Sequence, residues 1–186
     1  MSVEEIHHIA QEKMHKSIEV LKHEMATIRT GRASPALLDR VQVEYFGSQT
    51  PINMLATVAA PEPRLLTIQP WDRQTLVAIE KAIQKSDLGL NPTNDGTVIR
   101  LAIPALNDER RRELVRLVQR RLEEARVAVR NCRRDAVESL RKEEREKMVS
   151  EDEMKRGQER IQKLTDKFVA EVDEIGKGKE REILEP

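Results

Sequence analysis

Aromatic side chains are nearly missing from this sequence: Tyr45, Phe46, Trp71 and Phe168 make up 2% of its 186 residues. Nucleic-acid folds that stack bases on aromatic platforms therefore lack their raw material. Cysteine occurs once, at Cys132, which excludes an internal disulfide and suits a reducing compartment. No apolar run approaches the roughly 20 residues needed to span a bilayer, so no membrane role is expected. The opening stretch, MSVEEIHHIAQEK, carries early acids and no apolar core, unlike a signal or transit peptide. These gaps together predict a soluble, cytoplasmic protein.

Site motifs are missing too. No Walker loop, GxGxxG, HExxH or paired CxxC occurs, which removes the usual marks of nucleotide and zinc sites. All four histidines, His7, His8, His15 and His23, fall in the first helical segment. His8 and His15 share a face, but seven residues of helix separate them by about 10 Å, too far to share a metal. Cys132 lies on an apolar stripe and reads as a core residue rather than a nucleophile. Nothing singles out a carboxylate pair for acid–base work. The expectation is a protein that is not an enzyme and has no metal or cofactor.

Charge and helical periodicity are what the sequence does have. Charged residues make up 35% of it, with 33 bases against 33 acids. Apolar residues at Val3, Ile6, Ala10, Met14, Ile18, Leu21, Met25 and Ile28 recur in steps of three and four, the mark of an amphipathic helix ending near Thr30-Gly31. A second stripe runs through Leu114, Val118, Leu122, Ala125, Val129, Cys132, Ala136 and Leu140, capped by Asn107 or Asp108 and ending near Met148. Ser150-Glu-Asp-Glu153 is a capping box opening a third helix, with Met154, Ile161, Leu164, Phe168, Val172 and Ile175 on its stripe. Stripes this narrow need mutual burial, and an antiparallel three-helix bundle supplies it.

Between Gly31 and Ala105 the pattern changes. Val41–Tyr45 alternates with period two, Phe46–Pro51 reads as a turn, and Ile52–Val58, Arg64–Gln69 and Thr97–Ile103 are strand candidates. Asp72 precedes a helical stripe of Leu76, Ile79 and Ile83, and Asn91–Gly96 reads as a turn. The predicted class is therefore α+β and mainly α. Residues 1–30 and 106–186 form the bundle, and a small α+β domain, 31–105, is inserted between helices one and two. Two connecting segments, Arg29-Thr30-Gly31-Arg32 and Ile103-Pro104-Ala105-Leu106, are expected to act as a hinge.

The neutral total hides a concentration. Arg110–Arg134 holds ten bases and three acids, and all ten are arginine. RVAVRNCRRDA alone places Arg126, Arg130, Arg133 and Arg134 within nine residues. On a helical wheel with Arg126 at zero and 100° per residue, the apolar stripe spans about −120° to −40°. Arg112, Arg116, Arg126, Arg130, Arg133, Arg134 and Arg141 lie between about −20° and +80°. Glu123 and Glu144 interrupt that arc. One account is pairing with acids on the neighbouring helices. The other is an RNA face, for which arginine's planar fork suits bidentate phosphate contacts. Without aromatics, such a face would read folded RNA by shape and backbone.

Several stretches resemble one family over essentially the whole chain. They are Ile28–Pro35, Leu37–Asp39, Val43–Tyr45, Ser86–Pro92, Glu109–Arg111, Ala125–Asn131 with Arg133–Ala136, Ser150–Asp152 and Gln162–Asp166. The sequence is similar in these to the bacterial ribosome recycling factors. The resemblance implies a non-enzymatic translation factor, shaped somewhat like a transfer RNA, with a three-helix domain and a hinged α+β domain. It implies binding to the large ribosomal subunit and its rRNA. It also implies splitting of the post-termination ribosome together with elongation factor G, which carries the GTP. Positions matching the family's rRNA-contacting arginines are Arg29, Arg32, Arg130 and Arg133. The wheel alone extends that surface to Arg126 and Arg134. The expected state is a monomer. The alternative is a helical adaptor that binds only proteins, its arginines engaging acidic partners. An RNA-modifying enzyme is a third reading, for which no catalytic cluster is visible.

Overall fold

Ser2 opens the first helix in the computed structural model, which describes residues 1–185. Its hydroxyl accepts from the Glu5 amide at 3.1 Å, and the Glu5 carboxylate accepts from the Ser2 amide at 2.8 Å. This reciprocal cap satisfies donors that every helix start leaves open. The helices are α1 (Val3–Thr27), α2 (Leu76–Lys85), α3 (Asp108–Arg145) and α4 (Glu151–Leu184). Ser150 and Glu153 cap α4 in the same reciprocal way, at 3.1 and 2.9 Å.

The chain divides into two compact units, one of residues 1–26 and 112–181, the other of 27–111 with the chain end from Glu182. Residue patterning had the limits at 30/31 and 105/106; the spatial division lies at 26/27 and 111/112, and it adds a change of unit at Glu182.

In the first unit three long helices bury their stripes against one another. α1 contributes Ile6, Ala10, Met14, Ile18, Leu21 and Met25. α3 contributes Leu114, Val118, Leu122, Ala125, Val129, Ala136 and Leu140. From α4 come Ile161, Leu164, Phe168 and Val172. Directions follow from the partners. Glu4 pairs with Arg160 and Lys22 with Glu171, so α1 and α4 run parallel. Glu24 meets Arg121, and the Met1 amine meets Glu143, so α1 and α3 are antiparallel. Leu122 packs on Gly176 and Leu140 on Gly157, which makes α3 and α4 antiparallel. The α4 stripe differs from its expected form: Met154 and Ile175 are only half-buried, while Gly157, Thr165 and Gly176 are buried.

The second unit is built on antiparallel strands. β1 (Gln42–Tyr45) pairs with β2 (Ser48–Pro51) through a two-residue turn at Phe46-Gly47, whose φ angles are 48° and 78°. Positive φ at both positions is the hairpin turn that matches strand twist. The expected six-residue turn is therefore a two-residue turn plus a strand. β3 (Ala56–Glu62), β4 (Leu65–Pro70), β5 (Pro92–Asn94) and β6 (Ile99–Ala102) form a sheet in the order β3-β4-β6-β5. Ile52–Met54, expected as strand, is a 3-10 turn leading into β3, and part of the expected turn at Asn91–Gly96 is β5. Leu66 faces Leu101 and Ile68 faces Ile99 across the β4–β6 ladder, and all four are fully buried. α2 adds Leu76, Ile79 and Ile83, and β1 adds Val43, to the same core. Each such side chain contributes about 1.5–3 kcal/mol through burial. The sheet's other face carries Thr67 opposite Arg100 and stays open to water. The sequence-derived class, α+β and mainly α with a small sheet domain, is the observed one.

Candidate nucleic-acid interface

Asn107 starts the arginine-bearing helix by accepting from the Arg110 amide at 2.7 Å. Asp108 and Glu109 in the first turn of α3, and Lys142 and Arg145 in the last, match its macrodipole. With the apolar stripe turned inward, the neighbouring arc of the helix is presented along the bundle flank. Cys132 is half-buried on that stripe, and burial pushes its thiol up. A thiol so placed is a poor nucleophile.

The four α3 arginines singled out by sequence have different surroundings. Arg126 is half-buried, with a side chain only 22% exposed. Its Nε and Nη2 donate to Asp173 Oδ1 at 3.1 and 2.7 Å, and its Nη1 donates to Glu123 at 3.2 Å. These bonds, led by the one to Asp173, raise its pKa above the ordinary arginine value. The cross-helix ion pair weighed against an RNA role is therefore real at Arg126. Arg130 is exposed, and its Nη1 approaches the other oxygen of Glu123 at 3.7 Å. Glu123, which interrupts the arc on the wheel, thus holds Arg126 and Arg130 side by side. Arg133 is half-buried and donates from Nη1 to Gln162 Oε1 at 3.2 Å. Arg134 is exposed and has no ion pair among the described residues.

Arg133 and Arg134 come together at the wall of one open groove between α3 and α4, about 530 Å³ in volume. Arg141 and Lys155 line it as well, against two acids, Glu138 and Glu159. Three residues that organise the arginines, Gln162, Asp166 and Asp173, stand on α4. Gln162 and Asp166 have a part in the family resemblance, but the sequence assigns none of the three a site role. Their signal is faint: Gln162 and Asp166 lie four apart on one helix face, and nothing in the order of residues ties them to α3.

Arg29 and Arg32 belong to the second unit, and both are exposed. Arg32 Nη2 donates to the backbone carbonyl of Glu185. The connecting segments beside them are anchored to the β3–β4 turn. The Ala33 amide donates to Pro63 O at 2.7 Å, and the Ile103 amide donates to Arg64 O at 2.9 Å. Gly31 has φ of 78°, and a Cβ there would stand 3.1 Å from Leu106 Cγ. Thr30 and Ile103 are buried, Leu106 is half-buried, and Pro104 and Ala105 are exposed. No helix among the described residues is long and apolar enough to cross a membrane.

Comparison with known proteins adds the family. The family model described as ribosome recycling factor matches residues 21–184. The ribosome-recycling factor of Carboxydothermus hydrogenoformans is 64% identical over 175 residues, covering 94% of this chain and 95% of that protein. The factor of Symbiobacterium thermophilum is 58% identical over 176 residues, covering 95% of each. A solution structure of a ribosome recycling factor matches with a TM-score of 0.82 at 48% identity, over 100% of this chain and 99% of that one. A further solved chain matches with a TM-score of 0.70 at 51% identity, over 99% of this chain and all of that one. It comes from models for the T. thermophilus ribosome recycling factor and the E. coli elongation factor G bound to the E. coli post-termination complex. Sequence and fold agree along nearly the full length, and this chain belongs to the ribosome recycling factor family.

Proposed function

We propose that this chain takes apart the ribosome left after termination, binding the large subunit through its rRNA and acting with elongation factor G and GTP. The observation that carries the reading is the full-length likeness, at 51% identity, to a chain from models of the post-termination complex with that factor. The charge on α3 supports it, since arginines there line a bundle flank that offers forks rather than base-stacking rings. Arg29, Arg32, Arg130, Arg133 and Arg134 contact phosphate, while Arg126 is spent largely on Asp173. The chain acts as a cytoplasmic monomer without catalytic residues or a cofactor of its own.

The segments Arg29–Arg32 and Ile103–Leu106 serve as the hinge between an RNA-binding bundle and the inserted unit. That unit, with seven bases and seven acids in residues 31–105, adds little net attraction for RNA. A crosslink joining the two units should leave subunit binding intact and stop splitting. Full-rate splitting by fully crosslinked protein would show that bending is unnecessary.

Light scattering tests the central claim. Post-termination ribosomes mixed with this protein, elongation factor G and GTP should lose scattering as the subunits part. A steady signal, where another member of the family produces the drop, would refute the reading.

A further inference from the structure

The groove between α3 and α4 holds more positive charge than its surroundings neutralise. Arg134 and Arg141 have no ion-pair partner among the described residues. The acid best placed between them in sequence, Glu138, is taken by Arg145 at 3.1 Å. Lys155 rests on Glu151 at 2.9 Å; water and salt loosen this pair and Arg145–Glu138 alike. The excess is that of Arg133, Arg134, Arg141 and Lys155 over Glu138 and Glu159 in the groove lining. From Arg134 to Arg141 is seven residues of helix, or about 10 Å along the axis. That span exceeds one phosphate group and suits successive phosphates of a strand.

Arg133 is held at the same groove by a relay. Its Nη1 donates to Gln162 Oε1 at 3.2 Å, and Gln162 Nε2 donates to Asp166 Oδ1 at 2.9 Å. A guanidinium only donates, so Arg133 can bond the oxygen of the Gln162 amide and not its nitrogen. Asp166, accepting from the nitrogen, holds the oxygen toward Arg133. The relay uses one nitrogen of Arg133 and leaves the others for a ligand. A fork already held in place loses less rotamer entropy on binding.

We propose that this α3–α4 groove seats a phosphodiester strand of RNA, with Arg134 and Arg141 as its free cations and Gln162, fixed by Asp166, as the positioning residue for Arg133. It rests on the reading that the α3 arginines meet rRNA, and adds α4 and Arg141 to that surface. A compact anion site would gather its cations about one point, whereas these are strung along a helix. An acidic protein surface is the competing occupant.

The test measures large-subunit binding by the full-length chain across a salt series. Arg141→Ala should weaken binding by roughly 10-fold or more, the range of one charge-assisted hydrogen bond. It should also flatten the slope of log affinity against log salt by somewhat under one unit. Arg141→Lys should keep most of the slope. Gln162→Met should weaken binding with the slope and melting temperature unchanged, because the charge remains while its placement is lost. If Arg133→Ala weakens binding and Arg141→Ala does not, the groove is wrong and the α3 face survives. If neither weakens it, both fall. A loss of elongation factor G affinity with subunit binding intact would give the groove to a protein partner and overturn the proposal. Should Arg141→Ala lower the melting temperature, Arg141→Gln repeats the comparison with a longer polar stem.

Discussion

Arg126 gives the hydrogens of Nε and Nη2, at 3.1 and 2.7 Å, to a single oxygen of Asp173 across the α3–α4 seam. The arginine is mostly enclosed and the aspartate half-open, which places the pair between a surface contact and a buried one. Arg126→Ala should therefore cost about 1–2 kcal/mol of bundle stability and leave large-subunit affinity nearly unchanged. A double-mutant cycle with Asp173→Ala, read by urea unfolding, isolates the pair. A variant of full stability that binds weakly would move Arg126 into the RNA contact set.

Arg133 predicts the reverse. Alanine is the best helix former, so Arg133→Ala keeps α3 intact. Affinity for the large subunit should fall by roughly 10- to 150-fold, from loss of a charge-assisted bond worth about 1.5–3 kcal/mol. Melting temperature and subunit binding, measured on the same sample, decide it. A destabilised protein with normal binding would make Arg133 a structural tie to Gln162.

Two glycines of α4 should respond oppositely to the same change. A Cβ on Gly176 would clash with Leu122 Cδ1, whereas one on Gly178 meets nothing within 4 Å. Gly178→Ala should stabilise by about 0.5–1 kcal/mol through helix propensity alone. In Gly176→Ala the same gain is outweighed by overpacking of the buried Leu122, for a net loss of up to about 2 kcal/mol. Unfolding midpoints followed by helical circular dichroism test the pair. Equal gains at both sites would mean that Leu122 has room to turn away.

Acid should act on the turn between β5 and β6. Asp95 accepts from the Val98 and Thr97 amides at 2.9 and 3.0 Å, and from Arg100 Nη1 at 3.0 Å. Those bonds, the backbone ones first, hold its carboxyl far below the usual aspartate range. A depressed pKa stabilises the fold above the unfolded value, about 3.9. That contribution is lost as pH falls through the folded value. The carboxyl should remain ionised at a pH where ordinary aspartates have protonated, and Asp95→Asn should flatten the acid limb of the second unit's stability. Carbon-13 titration of Asp95 is the check, and an ordinary midpoint would count against the turn as the cause.

The long helices were legible because Ile18, Leu122 and Phe168 sit on stripes whose spacing has one helical solution. Gly157 and Gly176 were missed on the α4 stripe because they bury backbone, which an apolar count does not register. The cap at Ser2–Glu5 has the same form as Ser150–Glu153, but the apolar stripe from Val3 and Ile6 marks that helix without marking its cap. Ser48–Pro51 hid as a strand because its residues are polar, and its pairing depends on the turn at Phe46-Gly47. For the candidate interface, a wheel drawn for α3 located the arginine arc. The roles within the arc depend on Asp173 and Gln162, which fold against it from 47 and 29 residues away.

Order of synthesis gives the bundle's connectivity a further meaning. α1 is made first, yet Glu24 must wait for Arg121 and Glu4 for Arg160. At ~5–20 residues per second, α3 reaches Glu24's partner on the order of 5–20 s after α1 is complete. Residues 27–111 are contiguous and can close their own core during that interval. The oldest helix is thus among the last to be covered, and until then its Ile6–Met25 stripe faces the solvent or a chaperone. A chain cut short before α4 would leave that stripe only half-covered, so damage late in the sequence should expose its earliest part to proteases.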